Sequence, residues 1–116
     1  MPRTNIAAVA LIGGYPSAGV AAAPTAADAS NQNRTLHTGQ NFFIHARNSG
    51  STTRAVTFTS VADSQQNRTG DISDTLTNGQ SKVFGPFAVD GWRQSDGYLY
   101  FEAAHAEVLF TVIRFA

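Results

Sequence analysis

Cysteine is absent from this chain of 116 residues. Its absence excludes disulfide bonds, thiolate zinc sites and a cysteine nucleophile, but it does not assign the protein to a compartment. Charged residues are also scarce, at 14% of the chain against about a quarter in an average protein. Much of the surface is therefore neutral, and a neutral surface is typical of a protein that lies against another protein.

Positive charge is not concentrated in any segment. Eight basic residues balance eight acidic ones, and Lys82 is the only lysine. A protein that binds nucleic acid usually carries a basic patch that neutralises backbone phosphates. We therefore expect no nucleic acid among the partners.

No apolar run is long enough to cross a bilayer. The run near the N-terminus covers residues 6–12, whereas a transmembrane helix needs about 20 residues. Arg3 before this run and the alanines at 21–23 after it imitate a secretory signal, although the run is short for one. We expect no membrane partner, and export remains an alternative interpretation.

Residue types that carry catalysis or bind metals do not cluster along the sequence. His37, His45 and His105 lack a second ligand at zinc-site spacing. Glu102 and Glu107 could approach each other as a carboxylate pair, but two separate carboxylates facing water is the plainer interpretation. We therefore expect a non-enzymatic protein that uses no metal and no cofactor.

From residue 36 onward the hydrophobic pattern has the period of two that is typical of β-strands. Short strands separated by turns predict a single all-β domain, an antiparallel β-sandwich or jelly roll. The last strand is apolar on both faces, so both faces must be covered. The predicted strands cover residues 42–47, 54–61, 71–77, 81–84, 98–103 and 107–115.

Three turn signals indicate how these strands are arranged. Asn78-Gly79 is typical of a type I′ hairpin, so we expect strand 81–84 to pair antiparallel with residues 72–76. Residues 104–106 should join the last two strands as another hairpin. Pro86 cannot donate a hydrogen bond to a neighbouring strand, and it marks the end of its strand or a sheet edge.

The N-terminal part differs in composition from the rest. The first thirty residues hold ten alanines and no strong strand pattern, with Pro16 and Pro24 as further breaks. Such a sequence offers too little apolar surface to fold alone. We therefore divide the chain into an extended N-terminal arm, residues 1–35, and a β-sandwich domain, residues 36–116.

The apolar residues of this arm allow two interpretations, and the sequence leaves both open. In the first, an edge strand or a short helix on the domain's own core is formed by Ile6, Val9, Leu11 and Ile12. In the second, these residues lie across a neighbouring subunit together with Tyr15. All five are therefore candidate protein-interface residues.

The only tryptophan lies in a loop rich in aromatic residues. Trp92 is followed by Arg93, and Tyr98 and Tyr100 come shortly after. Tyrosine, tryptophan and arginine are the residue types that dominate interface hot spots, so Trp92 and Arg93 are further candidate interface residues. Alternatively, Trp92 closes one end of the sandwich. A sugar-stacking platform with Tyr98 and Tyr100 is a third interpretation.

Several short segments of the chain resemble a group of phage proteins. The turn Gly85-Pro86-Phe87 and the pair Arg114-Phe115 are part of this likeness. In these segments the chain is similar to small virion proteins of tailed bacteriophages that are encoded near the major capsid protein. The likeness covers roughly residues 21–116, and its segments are 23–29, 39–48, 83–87, 96–101 and 112–115.

The resemblance implies a capsid decoration protein, also called a cement protein. Such a protein is a β-sandwich that binds the outer surface of the phage head and stabilises contacts between major capsid protein subunits. The implied partners are the major capsid protein and neighbouring copies of the chain itself, and the implied location is the virion. The alternative is a carbohydrate- or host-binding module of a virion fibre.

Overall fold

The described part of the chain contains ten short strands. The computed structural model describes residues 3–11, 23–39, 41–61 and 70–115, and these ranges contain no helix. The strands are β1 (Thr4–Asn5), β2 (Val9–Leu11), β3 (Thr25–Ala26), β4 (Asn33–Leu36), β5 (Phe42–Asn48), β6 (Arg54–Thr59), β7 (Ile72–Leu76), β8 (Ser81–Phe87), β9 (Tyr98–Ala103) and β10 (Val108–Phe115).

The strands form two sheets that pack against each other. Sheet A has the order β1-β4-β9-β6-β7, and sheet B has the order β2-β10-β5-β8, with β3 also paired to β10. Most neighbours are antiparallel, but β1 pairs with β4 in parallel, and β2 pairs with β10 in the same way. The predicted all-β sandwich is confirmed, with mixed rather than purely antiparallel sheets.

Phenylalanine rings from both sheets fill the core. Phe58 of β6 is fully buried, and its ring centroid lies 4.7 Å from that of Phe84 and 5.3 Å from that of Phe87, both on β8. The same ring lies 5.9 Å from Phe101 of β9 and 6.4 Å from Phe110 of β10. Along β6 and β9 one residue in two is buried, because side chains alternate between the faces of a strand. On β8 the buried residues Phe84 and Phe87 are three positions apart, since the register of this strand shifts. The rings therefore join the two sheets across the sandwich.

Neither predicted hairpin forms. Strand β7 lies in sheet A and β8 in sheet B, so the Asn78-Gly79 turn connects the two sheets. Gly79 has a φ of +72° and donates its N–H to Asn48 O at 3.0 Å. Strands β9 and β10 also lie in different sheets. The turn residues determine the local backbone conformation, but the following strand joins whichever sheet buries its apolar face.

A buried asparagine joins the β5–β6 connection to the β7–β8 connection. Asn48, at the end of β5, is 0% exposed, and its Nδ2 donates to Thr52 O at 2.6 Å and to Leu76 O at 2.9 Å. Its Oδ1 accepts a hydrogen bond from Gly50 N at 2.9 Å. Its backbone N–H donates to Gln80 O at 3.0 Å. The β5–β6 and β7–β8 connections are thereby joined at one end of the sandwich.

Strand β8 is the last strand of sheet B, as Pro86 predicts for a sheet edge. Gly85 has a φ of +117°, and a Cβ at this position would lie 2.9 Å from Phe42 O. The Gly85–Pro86 peptide bond is cis. The register with β5 shifts between Phe42 and Ile44. The edge of sheet B is therefore irregular at Gly85 and Pro86, and Gly85 has a positive φ that other residue types rarely adopt.

The described N-terminal residues belong to the two sheets. Strand β1 extends sheet A, while β2 and β3 both pair with β10 of sheet B. The predicted domain boundary between residues 35 and 36 falls inside β4. For residues 9–11 the structure shows the edge strand of the first interpretation. A separate extended arm stays a prediction, and Ile12 and Tyr15 lie outside the described residues.

Candidate protein interface

Two tyrosines of β9 lie on the outer face of sheet A. Along β9 one side chain in two is buried, beginning with Leu99, so Tyr98 and Tyr100 point outward. Arg34 on β4 alternates with buried residues in the same way, and it lies opposite Tyr100 in the strand register. The pairing of β4 with β9 therefore brings together residues that are far apart in the sequence.

An arginine covers each of the two tyrosine rings. The guanidinium carbon of Arg34 lies 4.1 Å from the ring centroid of Tyr98, and that of Arg3 lies 4.4 Å from the ring centroid of Tyr100. At this separation the cation is attracted to the electron-rich face of the ring. Arg3 Nη1 also donates a hydrogen bond to Asn33 O at 3.1 Å. Both guanidinium groups thus lie over tyrosine rings on the outer face of the sheet.

Asp96 provides the negative charge of this cluster. It accepts hydrogen bonds from Tyr100 Oη and, at 3.1 Å, from Tyr98 N, and its Oδ2 lies 3.9 Å from Arg34 Nη1. Partial burial opposes ionisation, but the hydrogen bonds and the Arg34 charge outweigh it and hold the pKa of Asp96 below its ordinary value. The hydrogen bond to Asp96 is the main cause of a raised pKa at Tyr100.

We call Arg3, Arg34, Asp96, Tyr98 and Tyr100 the Tyr–Arg face. Two arginines and one aspartate leave it with one net positive charge. Tyrosine and arginine are enriched at interface hot spots. Side chains that are already held in place lose less conformational entropy when a partner binds. The arrangement is therefore suited to contact with a protein surface that carries carboxylates beside apolar groups.

The interface residues predicted in the N-terminal segment lie elsewhere. Ile6 is 4% exposed and belongs to the core of its own domain. Val9 and Leu11 lie in β2, within sheet B. Ile12 and Tyr15 lie outside the described residues. Ile6 is therefore not at the surface in this fold, and the structure places neither Val9 nor Leu11 in the sheet that carries the Tyr–Arg face.

The predicted Trp92 loop is divided between the core and the surface. Trp92 is half-buried against the core, and its ring meets that of Phe87 edge-on with the centroids 5.0 Å apart. Trp92 therefore packs on the sandwich, in agreement with the interpretation that it closes one end. Arg93 is exposed, and its guanidinium lies beside Gly97.

The sequence indicated only part of the Tyr–Arg face. Tyr98 and Tyr100 were recognisable as interface residue types at alternating positions of one strand. Arg3, Arg34 and Asp96 gave no signal, because their relation to the tyrosines depends on which strands are neighbours. The side-by-side placement of β1, β4 and β9 supplies that relation.

Among the described residues, the two glutamates considered as a carboxylate pair do not face each other. Glu102 accepts a hydrogen bond from Gln32 Nε2 at 3.0 Å, and Glu107 lies 3.1 Å from Arg54 Nε, so each carboxylate has its own partner. Within the described ranges, no three residues among histidine, aspartate and glutamate are grouped as metal ligands would be. The same ranges contain no helix with the length and hydrophobicity needed to cross a membrane.

No protein-family model, curated protein or solved structure matches the chain.

Proposed function

We propose that this chain is a non-enzymatic structural protein of a tailed-bacteriophage virion. In this proposal it is a capsid decoration or cement protein that binds the outer surface of the head and stabilises contacts between major capsid protein subunits. The partner and the location come from the resemblance of its short segments to phage head proteins. The observation that supports a protein-binding role is the Tyr–Arg face.

The Tyr–Arg face favours contact with a protein over stacking with a sugar. A sugar-binding tyrosine presents an open ring face, whereas Arg34 and Arg3 lie over the rings of Tyr98 and Tyr100. Trp92, the other aromatic candidate, packs against Phe87. A carbohydrate- or host-binding module of a virion fibre is therefore the weaker alternative, and saturable binding on a glycan array would support it.

Binding to capsids tests the proposal directly. Purified protein should cosediment with undecorated phage heads in a saturable way and should raise the temperature at which the heads release their DNA. Arg34→Ala should weaken this binding about tenfold or more, because it removes a hot-spot residue type from the centre of the face. Arg47→Ala is the matched control, since Arg47 is exposed on β5 of the other sheet.

Two results would contradict the proposal at different levels. Absence of wild-type binding at micromolar concentration would exclude a capsid decoration role on the heads tested. Equal binding by the Arg34→Ala and Arg47→Ala variants would leave such a role standing but would exclude the Tyr–Arg face as the binding surface. The thermal unfolding of each variant should be measured first, so that a loss of binding is not a loss of fold.

A further inference from the structure

A cavity of about 230 Å³ opens where β10 ends. One side is formed by the chain that crosses from β1 to β2, and includes Ala7 and Ala8. The other sides are formed by β4 with the residues that follow it, and by Arg114 of β10. The cavity therefore lies between the two sheets and is separate from the Tyr–Arg face.

Arg114 brings an unbalanced positive charge to this cavity. Arg114 lies on the same face of β10 as Val112 and Phe110, which are buried in the core. Its side chain therefore points to the space between the sheets. Its side chain is half-buried. Its guanidinium makes no ion pair or hydrogen bond with any residue that the structure describes, and none of the described lining residues is acidic. A partly buried guanidinium without a counter-charge favours binding of an anion.

Polar side chains of the lining add to the indication of a ligand. Asn5 and Thr38 both line the cavity and are exposed. The hydroxyl of Thr35 has no hydrogen-bond partner among the described residues, but it is enclosed in the protein and does not reach the cavity. A group that accepts several hydrogen bonds would satisfy Asn5, Thr38 and Arg114 together.

The rest of the lining limits what else the ligand can contain. Ala7, Ala8 and Leu36 give the cavity an apolar wall, and Leu36 is 52% exposed. The volume of about 230 Å³ is several times the roughly 30 Å³ that a water molecule occupies, so the cavity has room for a small organic ligand. A carboxylate accepts bonds from a guanidinium and from hydroxyls, and a short aliphatic chain fits the remaining wall.

We propose that this cavity is a binding site for an aliphatic carboxylate, with Arg114 and Thr38 holding the carboxylate and Ala7, Ala8 and Leu36 contacting the carbon chain. A free short-chain acid and the side chain of a glutamate on another protein share this chemistry. The site does not depend on the proposed capsid role. It assigns a function to Arg114 and Thr38, which the Tyr–Arg face does not use.

Titration of the ¹⁵N-labelled protein with sodium butanoate at constant ionic strength tests the site. We expect saturable chemical-shift changes at the amides of Ala7, Ala8, Thr38 and Arg114, with a dissociation constant of about 1 mM, as befits so small a ligand. Butyramide, the neutral analogue of the same shape, should cause no such changes. A titration with N-acetylglutamate α-amide separates the two sources, because only a site open to a protein side chain will accept its blocked backbone.

Two variants examine the assigned contacts. Arg114→Gln should weaken butanoate binding about tenfold or more, because it removes the charge-assisted hydrogen bonds. Thr38→Val keeps the shape of the side chain and should weaken binding several-fold by removing a hydroxyl from the lining. Arg47→Gln, the same change at an exposed arginine of β5, should leave affinity unchanged.

The proposal is overturned if butanoate gives no saturable shifts at about fifty times the expected dissociation constant. It is also overturned if butyramide binds equally well, or if the Arg114→Gln and Arg47→Gln variants bind butanoate alike. Shifts that are scattered over the surface and do not saturate would mean an adventitious anion only. Thr38→Val keeps the test valid if Arg114→Gln fails to fold, because Thr38 is exposed.

Discussion

At the scale of single residues, His37 couples the fold to pH. It is 0% exposed, its Nε2 lies 3.1 Å from Phe87 O, and its Nδ1 accepts a hydrogen bond from Gly39 N at 3.1 Å. These contacts fit a neutral ring with its proton on Nε2. Burial lowers the pKa of His37 below 6.5, the charge of Arg93 acts in the same direction, and hydrogen bonds to backbone carbonyls oppose the shift.

The lowered pKa of His37 predicts a loss of stability in mild acid. Because the folded-state pKa is below the unfolded-state value of 6.5, the unfolded state binds more protons once the pH falls below that value. The free energy of unfolding should therefore decrease as the pH falls through this window, by at most about 1.4 kcal/mol per pH unit from this group. Urea unfolding between about pH 7.5 and pH 5 measures the slope.

Variants at two histidines assign that slope. His37→Gln should unfold with less pH dependence than the wild type, even if it is less stable at every pH. His105→Gln is the control for the substitution itself, since it makes the same change at a side chain that is 47% exposed. An unchanged slope in the His37→Gln protein would show that other groups cause the effect. The lowered pKa values of Asp28, Asp74 and Asp96 act below pH 3.8, outside this window.

At the scale of strands and their connections, Asn48 is the most sensitive position. Asn48→Asp keeps the shape of the side chain but replaces the donor that faces Thr52 O and Leu76 O with an acceptor. A buried carboxylate next to two carbonyl oxygens should lower the free energy of unfolding by about 3 kcal/mol or more. Chemical denaturation measures the change.

The exposed residue Asn41 offers the matched control for this substitution. Asn41→Asp should change stability by less than about 0.5 kcal/mol, as is usual for surface positions. If Asn48→Asp were as stable as Asn41→Asp, the two connections would not depend on the asparagine. The difference between the two variants therefore measures what the Asn48 side chain contributes.

The strands from β5 onward were largely predictable, whereas β1 to β4 lie mostly in the segment assigned to an arm, and the partners of the strands were not predictable. Alternating apolar residues located β5 and β9 correctly, because the period of a strand is a local property of the sequence. The two hairpin predictions were wrong, because the Asn78-Gly79 turn gives no information about sheet membership. The strand of residues 81–87 packs Phe84 and Phe87 against Phe58 from the opposite sheet, and this long-range packing decides its place.

At the scale of the whole molecule, the N-terminal segment is part of the folding unit. Ile6 is 4% exposed and packs in the core, and β1 and β2 each complete one of the two sheets. Deletion of residues 2–11 should therefore destabilise the domain. Ile6→Ala alone should lower the free energy of unfolding by about 2–5 kcal/mol. Thermal unfolding should show a decrease of roughly 8 °C or more for either change.

Val83→Ala is the control for this prediction, because Val83 is an apolar residue that is 62% exposed. It should leave the midpoint of thermal unfolding nearly unchanged. If the deletion of residues 2–11 also left it unchanged, the segment would not be docked on its own domain. The interpretation of these residues as an arm for a neighbouring subunit would then regain support.

The candidate site was less predictable than the fold for a related reason. Residue types suggested that Trp92 and the apolar residues of the N-terminal segment bind a partner. In the structure Trp92 packs against Phe87, and Ile6 lies in the core. Both are large apolar groups, and burial in the protein's own core satisfies them as well as a partner would. The Tyr–Arg face could be found only once β4 and β9 were known to be neighbours.

The parallel pairing of β2 with β10 also has a mechanical consequence. In this pair Leu11 lies opposite Phe115, so segments near the two ends of the sequence run side by side in the same direction. A force that pulls the ends of the chain apart acts on these strands in opposite directions along their length. The hydrogen bonds between them are then loaded in shear and must break together rather than one after another. The sandwich should therefore resist stretching from its ends far better than a domain whose terminal strands can be peeled away singly.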